Sequence, residues 1–125
     1  MNVDSLLKHY FYSDIVKSLN NIEHMITFEF AAINENLGTR QLGEKVRSQL
    51  LNLIKENDKV ILDFSGVNVV SNSFADECLA KMLLTMPLDE LKQRTTFRGL
   101  NEFARKNIAI AFRRRLNAMS TIAKS

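Results

Sequence analysis

Residues 71–77, Ser-Asn-Ser-Phe-Ala-Asp-Glu, gather two hydroxyls, an amide and two carboxylates within two helical turns. Ser71 and Ser73 can cap a helix or accept a phosphoryl group. Asn72 can donate and accept hydrogen bonds to a partner. A helix starting here offers unpaired backbone N–H groups, which favour an anion. A phosphate on Ser71 or Ser73, or one carried by a partner, would be supported there. The plainer reading is structural. Ser73-x-x-Asp76 has the form of a capping box, and Asp76 and Glu77 in a first turn complement the helix dipole. Asp63, at the end of an apolar run, is either a functional acid or an acceptor that organises the following loop. Arg40 stands where a long helix should begin, a mildly unfavourable place for a cation. That predicts a specific acidic partner, Asp63 or Glu77.

A second group of charges, Arg105, Lys106, Arg113, Arg114 and Arg115, could contact phosphates or an acidic protein. The three successive arginines fan over about 200° of a helix, so they cannot share one phosphate track. A solvated helix face is the plainer reading. Cys78 falls on an apolar stripe and reads as core. His9, His24 and Cys78 are too few for a Cys/His metal cluster. No Walker A sequence, dinucleotide-binding glycine pattern or nucleophile elbow occurs. The expectation is a non-enzyme with no metal site and no cofactor.

The positioning elements follow from periodicity. Residues 4–19 read as a helix with Leu7, Phe11, Ile15 and Leu19 every four positions, widened by Leu6, Tyr10 and Val16. Its apolar stripe must be buried on its own domain or on a second copy, as a homodimer. Residues 25–31 alternate as a strand with Ile26, Phe28 and Phe30 on one face, and 34–38 read as a loop. Thr39 can cap a helix running to about Glu56, with Leu42, Val46, Leu50 and Leu53/Ile54 inward and Arg40, Glu44, Lys45 and Arg47 outward. Residues 59–64 are a dense apolar strand covered on both faces. After a loop, a helix begins near Ser73 and runs towards Met86, with Phe74, Cys78, Met82 and Met86 as its stripe. Residues 88–93 add a helical turn and 95–98 a short strand. A last helix spans 101–119 with Phe103, Ile108, Phe112, Leu116 and Met119 on its apolar side. The alternation predicts an α/β domain, with strands 25–31 and 59–64 parallel across the long helix.

The chain has 125 residues, 46% hydrophobic and 25% charged, which fits one globular domain. Its net charge of +3 is unevenly spread. Residues 1–91 hold 8 Lys/Arg and 13 Asp/Glu, whereas 92–125 hold 9 Lys/Arg and only Glu102. The basic third suggests an acidic partner. The absence of a signal-like or membrane-length apolar run predicts a cytoplasmic protein with no membrane contact.

Three landmarks carry a family resemblance: Leu37-Gly38-Thr39-Arg40, Ile61-Leu62-Asp63-Phe64-Ser65-Gly66-Val67, and Ser71-Asn72-Ser73-Phe74-Ala75-Asp76-Glu77. Residues 26–119 resemble a STAS-like domain, in its small bacterial branch of unassigned function, related to anti-sigma-factor antagonists. The resemblance implies a small mixed sheet covered by helices, with residues 1–21 as an extra helical extension and 22–125 as the STAS-like domain. It also implies a regulatory protein-interaction module whose partner is a GHKL-type ATP-binding protein acting as kinase or anti-sigma-like switch. In the anti-sigma-factor antagonists a D-S-S-G segment opens the helix and its first Ser is phosphorylated. Here Asn72 stands at that acceptor position, Ser71 at the Asp before it and Phe74 at the Gly, which leaves Ser73 and Ser71 as hydroxyls. The alternative function is a nucleic-acid-binding accessory protein using the basic C-terminal helix.

Overall fold

The computed structural model describes Leu7, Lys8, Tyr10, Phe11 and residues 24–124, the side chains of 121–124 excepted. In chain order the elements are β1 (Met25–Glu29), a 3₁₀ turn (Phe30–Ala32), β2 (Asn36–Leu37), α1 (Arg40–Glu56), β3 (Lys59–Asp63) and β4 (Val69–Val70). Then come α2 (residues 72–84), α3 (Leu88–Arg94), β5 (Thr95–Arg98) and α4 (Glu102–Lys124).

The strand 59–63 is central because every one of its side chains is apolar or shielded, and all five residues are buried. It lies between β1 and β5 in a sheet of order β1-β3-β5, and both pairings are parallel, with Ile26 opposite Val60 and Leu62 opposite Phe97. A separate two-stranded pair, β2 with β4, is also parallel. The α/β layering expected of a STAS-like domain is therefore present, and every pairing among the described residues is parallel. β1 is shorter than the alternation suggested. It stops at Glu29, and Phe30 enters the core from the 3₁₀ turn, stacked on Phe64 with centroids 4.0 Å apart. As an edge strand it leaves Ile26 37% exposed, so Ile26 is not on a core face as expected. The stretches expected as loops, 34–38 and 65–72, each contribute a two-residue strand.

Thr39 caps α1 as expected, its Oγ accepting the Leu42 N–H at 3.2 Å. Val46, Leu50 and Ile54 are buried along its inner face, with Gly43. Helix α2 is not regular: an α turn (Asn72–Phe74) passes into a π turn (Ala75–Leu79) and then a 3₁₀ turn (Ala80–Leu84). Its expected stripe of Phe74, Cys78, Met82 and Met86 is nevertheless in the core. In α4 the expected role of Phe103 is corrected: it is 78% exposed. The helix begins with Asn101 accepting the Ala104 N–H at 2.7 Å, and its buried residues are Ala104, Ile108, Ala111 and Phe112. Phe103 is one residue, about 100°, off that stripe.

Leu7, Lys8, Tyr10 and Phe11 are helical. Leu7, Tyr10 and Phe11 are buried in the same core cluster as the rest of the chain. Tyr10 and Phe11 pack on Phe97 and Phe112, and the Tyr10 hydroxyl hydrogen-bonds Thr95 Oγ1. These three residues thus take the intrachain alternative for the N-terminal stripe. Ile15, Val16 and Leu19 lie outside the described residues. Among the described residues no helix is long and apolar enough to cross a membrane.

Candidate functional site at the start of helix α2

Ser71 has extended backbone angles (φ −71°, ψ 160°), so it is the last residue before the helix. Its Oγ accepts the Phe74 N–H at 3.0 Å and donates to the Gly38 carbonyl at 2.9 Å. Its own N–H donates to the Leu37 carbonyl at 2.9 Å. The cap expected at Ser73 is therefore made by Ser71, two residues earlier, and no capping box forms. Asn72 is already helical, which puts Ser73 inside the first turn. Asn72 and Ser73 are exposed, and neither makes a hydrogen bond among the described residues.

One turn on, the π turn carries both carboxylates. Wide turns of this kind recur where a helix serves something other than its own regularity. Glu77 is nearly buried and receives Arg47 Nη1 at 2.7 Å, Lys81 Nζ at 2.9 Å and Arg40 Nη1 at 3.2 Å. Arg47 also donates to the Glu77 backbone carbonyl. Asp76 receives Arg115 Nη2 on both oxygens at 2.8 Å and Arg40 Nη1 at 2.9 Å. Arg40 therefore bridges the two acids, which answers its awkward place in the first turn of α1. It pairs with Glu77 as expected, with Asp76 in addition, and not with Asp63.

Three residues of α1 make this possible. Arg40, Gly43 and Arg47 are spaced i, i+3, i+7 and so share one helix face. A Cβ at Gly43 would sit 3.0 Å from Glu77 Cβ and 3.2 Å from the Cys78 backbone nitrogen. The bare glycine lets α2 come close enough for the flanking arginines to close over Glu77. Gly43, Arg47 and Lys81 were not singled out from the sequence, and Arg47 was placed on the wet face. The signal was the spacing, which puts two arginines either side of a glycine.

The charges respond accordingly. Hydrogen bonds from Arg47 first, then Lys81 and Arg40, outweigh burial and hold the Glu77 carboxyl down to about 2. Burial alone would raise Asp76, but Arg115 and Arg40 outweigh it and lower it. Those same acids raise Arg40. Burial pushes the Cys78 thiol up, as suits a core residue rather than a nucleophile.

Asp63 belongs elsewhere. Its carboxylate accepts the Ser65 N–H and an Arg98 Nη2 hydrogen bond, both at 2.9 Å, at the carboxyl end of the sheet. Burial would raise it, but these contacts outweigh burial and lower it. It organises the loop, the plainer of its two expected roles. The basic group is likewise divided. Arg115 is committed to Asp76, and Arg105 faces Glu102 at 3.6 Å and the Leu100 carbonyl at 3.4 Å. Arg105, Lys106 and Arg113 line a groove of about 330 Å³ beside Leu7 and Phe11. Arg114 and Arg115 instead line a second groove with Arg40, Asn72, Ser73 and Asp76. The structure thus brings Arg40, Asn72, Ser73, Asp76, Arg114 and Arg115 together, with Ser71 and Glu77 beneath as cap and anchor. Asp63, Arg105, Lys106 and Arg113 are not among them.

A parallel α/β layer with a capped helix start at the carboxyl side of a buried strand defines the class of domain. Over residues 43–103 the chain matches the family described as a STAS-like domain of unknown function (DUF4325). The matched residues include β3, Ser71 and all of α2, but not Arg40, Arg114 or Arg115. No curated protein and no solved structure matches the chain.

Proposed function

We propose that the chain is a regulatory protein-interaction module, without catalysis of its own, that docks a protein partner through the start of α2 and the surface around Arg40. The contrast between neighbouring side chains carries the reading. The Ser71 hydroxyl is engaged on both sides by backbone, whereas Asn72 and Ser73 are exposed and unengaged among the described residues. Polar groups presented from a packed frame and left to solvent suit recognition. The ion pairs of Glu77 and Asp76 supply that frame.

The family resemblance supports a GHKL-type ATP-binding protein as the partner, with the nucleotide on that partner. The phosphoryl acceptor is then Ser73, because the Ser71 hydroxyl is needed by the cap. A phosphate there adds about two negative charges to the docking surface and expels the partner. The test is co-purification of the chain with a GHKL-type protein encoded beside it, using wild type, Ser73→Ala and Ser73→Asp. Ser73→Ala should bind as wild type does. Ser73→Asp should fold equally well and lose binding. Equal affinity in all three removes the switch, and no co-purification by the wild type removes the docking.

A further inference from the structure

The groove above Asp76 has a charge imbalance that its internal pairs do not use up. Its volume is about 410 Å³, and its walls carry Arg40, Arg114 and Arg115 against one carboxylate, Asp76. The oxygens of Asp76 are already covered, by Arg115 on both and by Arg40 on one. Arg40 uses Nη1 alone for both of its acids, so its Nη2 and Nε have no partner among the described residues. Arg114 is exposed and has no hydrogen bond or ion pair among the described residues. The Ser73 hydroxyl and the Asn72 amide complete the rim, and Ile110 and Ala111 form an apolar wall.

Two guanidiniums with spare donors, a hydroxyl and an amide around a concave surface match the acceptor oxygens of a tetrahedral dianion. Guanidinium is the side chain best shaped for that contact, through paired N–H donors. The space exceeds what a phosphate alone needs and lies in the range of small-molecule sites.

We propose that this groove is a binding site for a phosphomonoester. The phosphate arrives either on a small soluble molecule or on Ser73 itself, since Ser73 lines the same groove. In both cases Arg114 and the free edge of Arg40 grip the phosphate oxygens, and no bond is made or broken. The groove arginines lie outside the family-matched residues, whereas Asn72, Ser73 and Asp76 lie within them. The proposal does not rest on the docking reading: phosphate binding can succeed where partner binding fails, and the reverse.

The experiment uses the full chain and inorganic phosphate as the probe, with chloride at matched ionic strength as the control. Thermal melts and backbone amide shifts are recorded for wild type, Arg114→Ala and Arg114→Lys. The Arg114 side chain is exposed and unpaired among the described residues, so both variants should fold. Phosphate should raise the wild-type Tm above the chloride control and move the amides of residues 72–76 and 110–115. Arg114→Ala should weaken phosphate about tenfold, as expected for one charged hydrogen-bonded contact, and Arg114→Lys should recover part of it. Equal effects of phosphate and chloride, or phosphate affinity indifferent to Arg114→Ala, would overturn the proposal. Chain carrying phosphoserine at 73 separates the two sources. If the groove serves Ser73, that protein melts higher than wild type, loses the gain in Arg114→Ala, and no longer responds to added phosphate. If it serves a soluble ligand, the modified protein still binds phosphate in an Arg114-dependent way.

Discussion

Ser71 and Ser73 differ by one helical residue on either side of Asn72, yet their hydroxyls have opposite fates. Ser71→Ala removes a cap and the tie to Gly38, and should cost about 1 kcal/mol, read as a lower urea midpoint. Ser73→Ala should fall within about 0.5 kcal/mol of wild type, as expected for an exposed side chain outside any network. If Ser73→Ala is the more damaging of the two, the cap assignment fails. The sequence could not separate these serines, because both precede a hydrophobic-periodic run and only Ser73 has an acid three residues later. The backbone decided it: Ser71 is held by its N–H to Leu37, in the two-residue pairing of β2 with β4, and the helix starts directly after it. Strands that short have no periodicity to read. Gly99 shows another residue-level constraint. Its φ is +75°, and a Cβ there would lie 2.7 Å from the Ser65 backbone nitrogen. Gly99→Ala should therefore cost at least about 2 kcal/mol and disturb the Asp63–Ser65 turn beside it.

Between elements, the α1–α2 contact is where acid should act. The Glu77 carboxyl is lowered from 4.5 to about 2 on folding, by Arg47, Lys81 and Arg40. A lowered carboxylate stabilises the fold fully above its unfolded value and loses that contribution as pH falls through the folded one. Asp76 and Asp63 are lowered too, so they act in the same direction. The Tm should stay level down to about pH 5 and then drop steadily towards pH 2. Glu77→Gln should lower the Tm by several degrees at pH 7 and flatten the acid slope. An unchanged slope in Glu77→Gln, measured by melts across this range, would remove Glu77 as the acid-sensitive group. The helices themselves were legible: the Thr39 cap, the Val46–Leu50–Ile54 face and the buried strand 59–63 all follow from period and residue type. The ion network was not. Periodicity says which face of a helix is dry, not which charged side chain on its border meets an acid from another helix. Arg47 on that border was read as solvated for this reason, and the same reading put Phe103 inside.

For the molecule as a whole, Leu7, Tyr10 and Phe11 belong to the same core as the sheet and helices. Tyr10 and Phe11 cover Phe97 and Phe112, so deleting residues 1–20 should strip a face of β5 and α4. Tyr10→Ala alone should cost about 3 kcal/mol, the usual size for truncating a buried aromatic. A truncated chain with an undiminished melting temperature and unchanged mass in solution would contradict this packing.

The parallel strand pairings carry a consequence for how the chain reaches this state. Met25 meets Lys59, and Val60 meets Thr95, so neither ladder of the central sheet can begin as a local hairpin. Some thirty residues of intervening chain must first be gathered in, and the entropy of closing that loop is lost before a single inter-strand hydrogen bond offsets it. Helix α1 shortens the search by compacting the first of these spans. The transition state should therefore contain α1 docked on β3 while β1 and β5 are still unpaired. Substitutions at Val46 and Leu50 should slow refolding, whereas Thr96 and Phe97 should chiefly speed unfolding, in stopped-flow measurements.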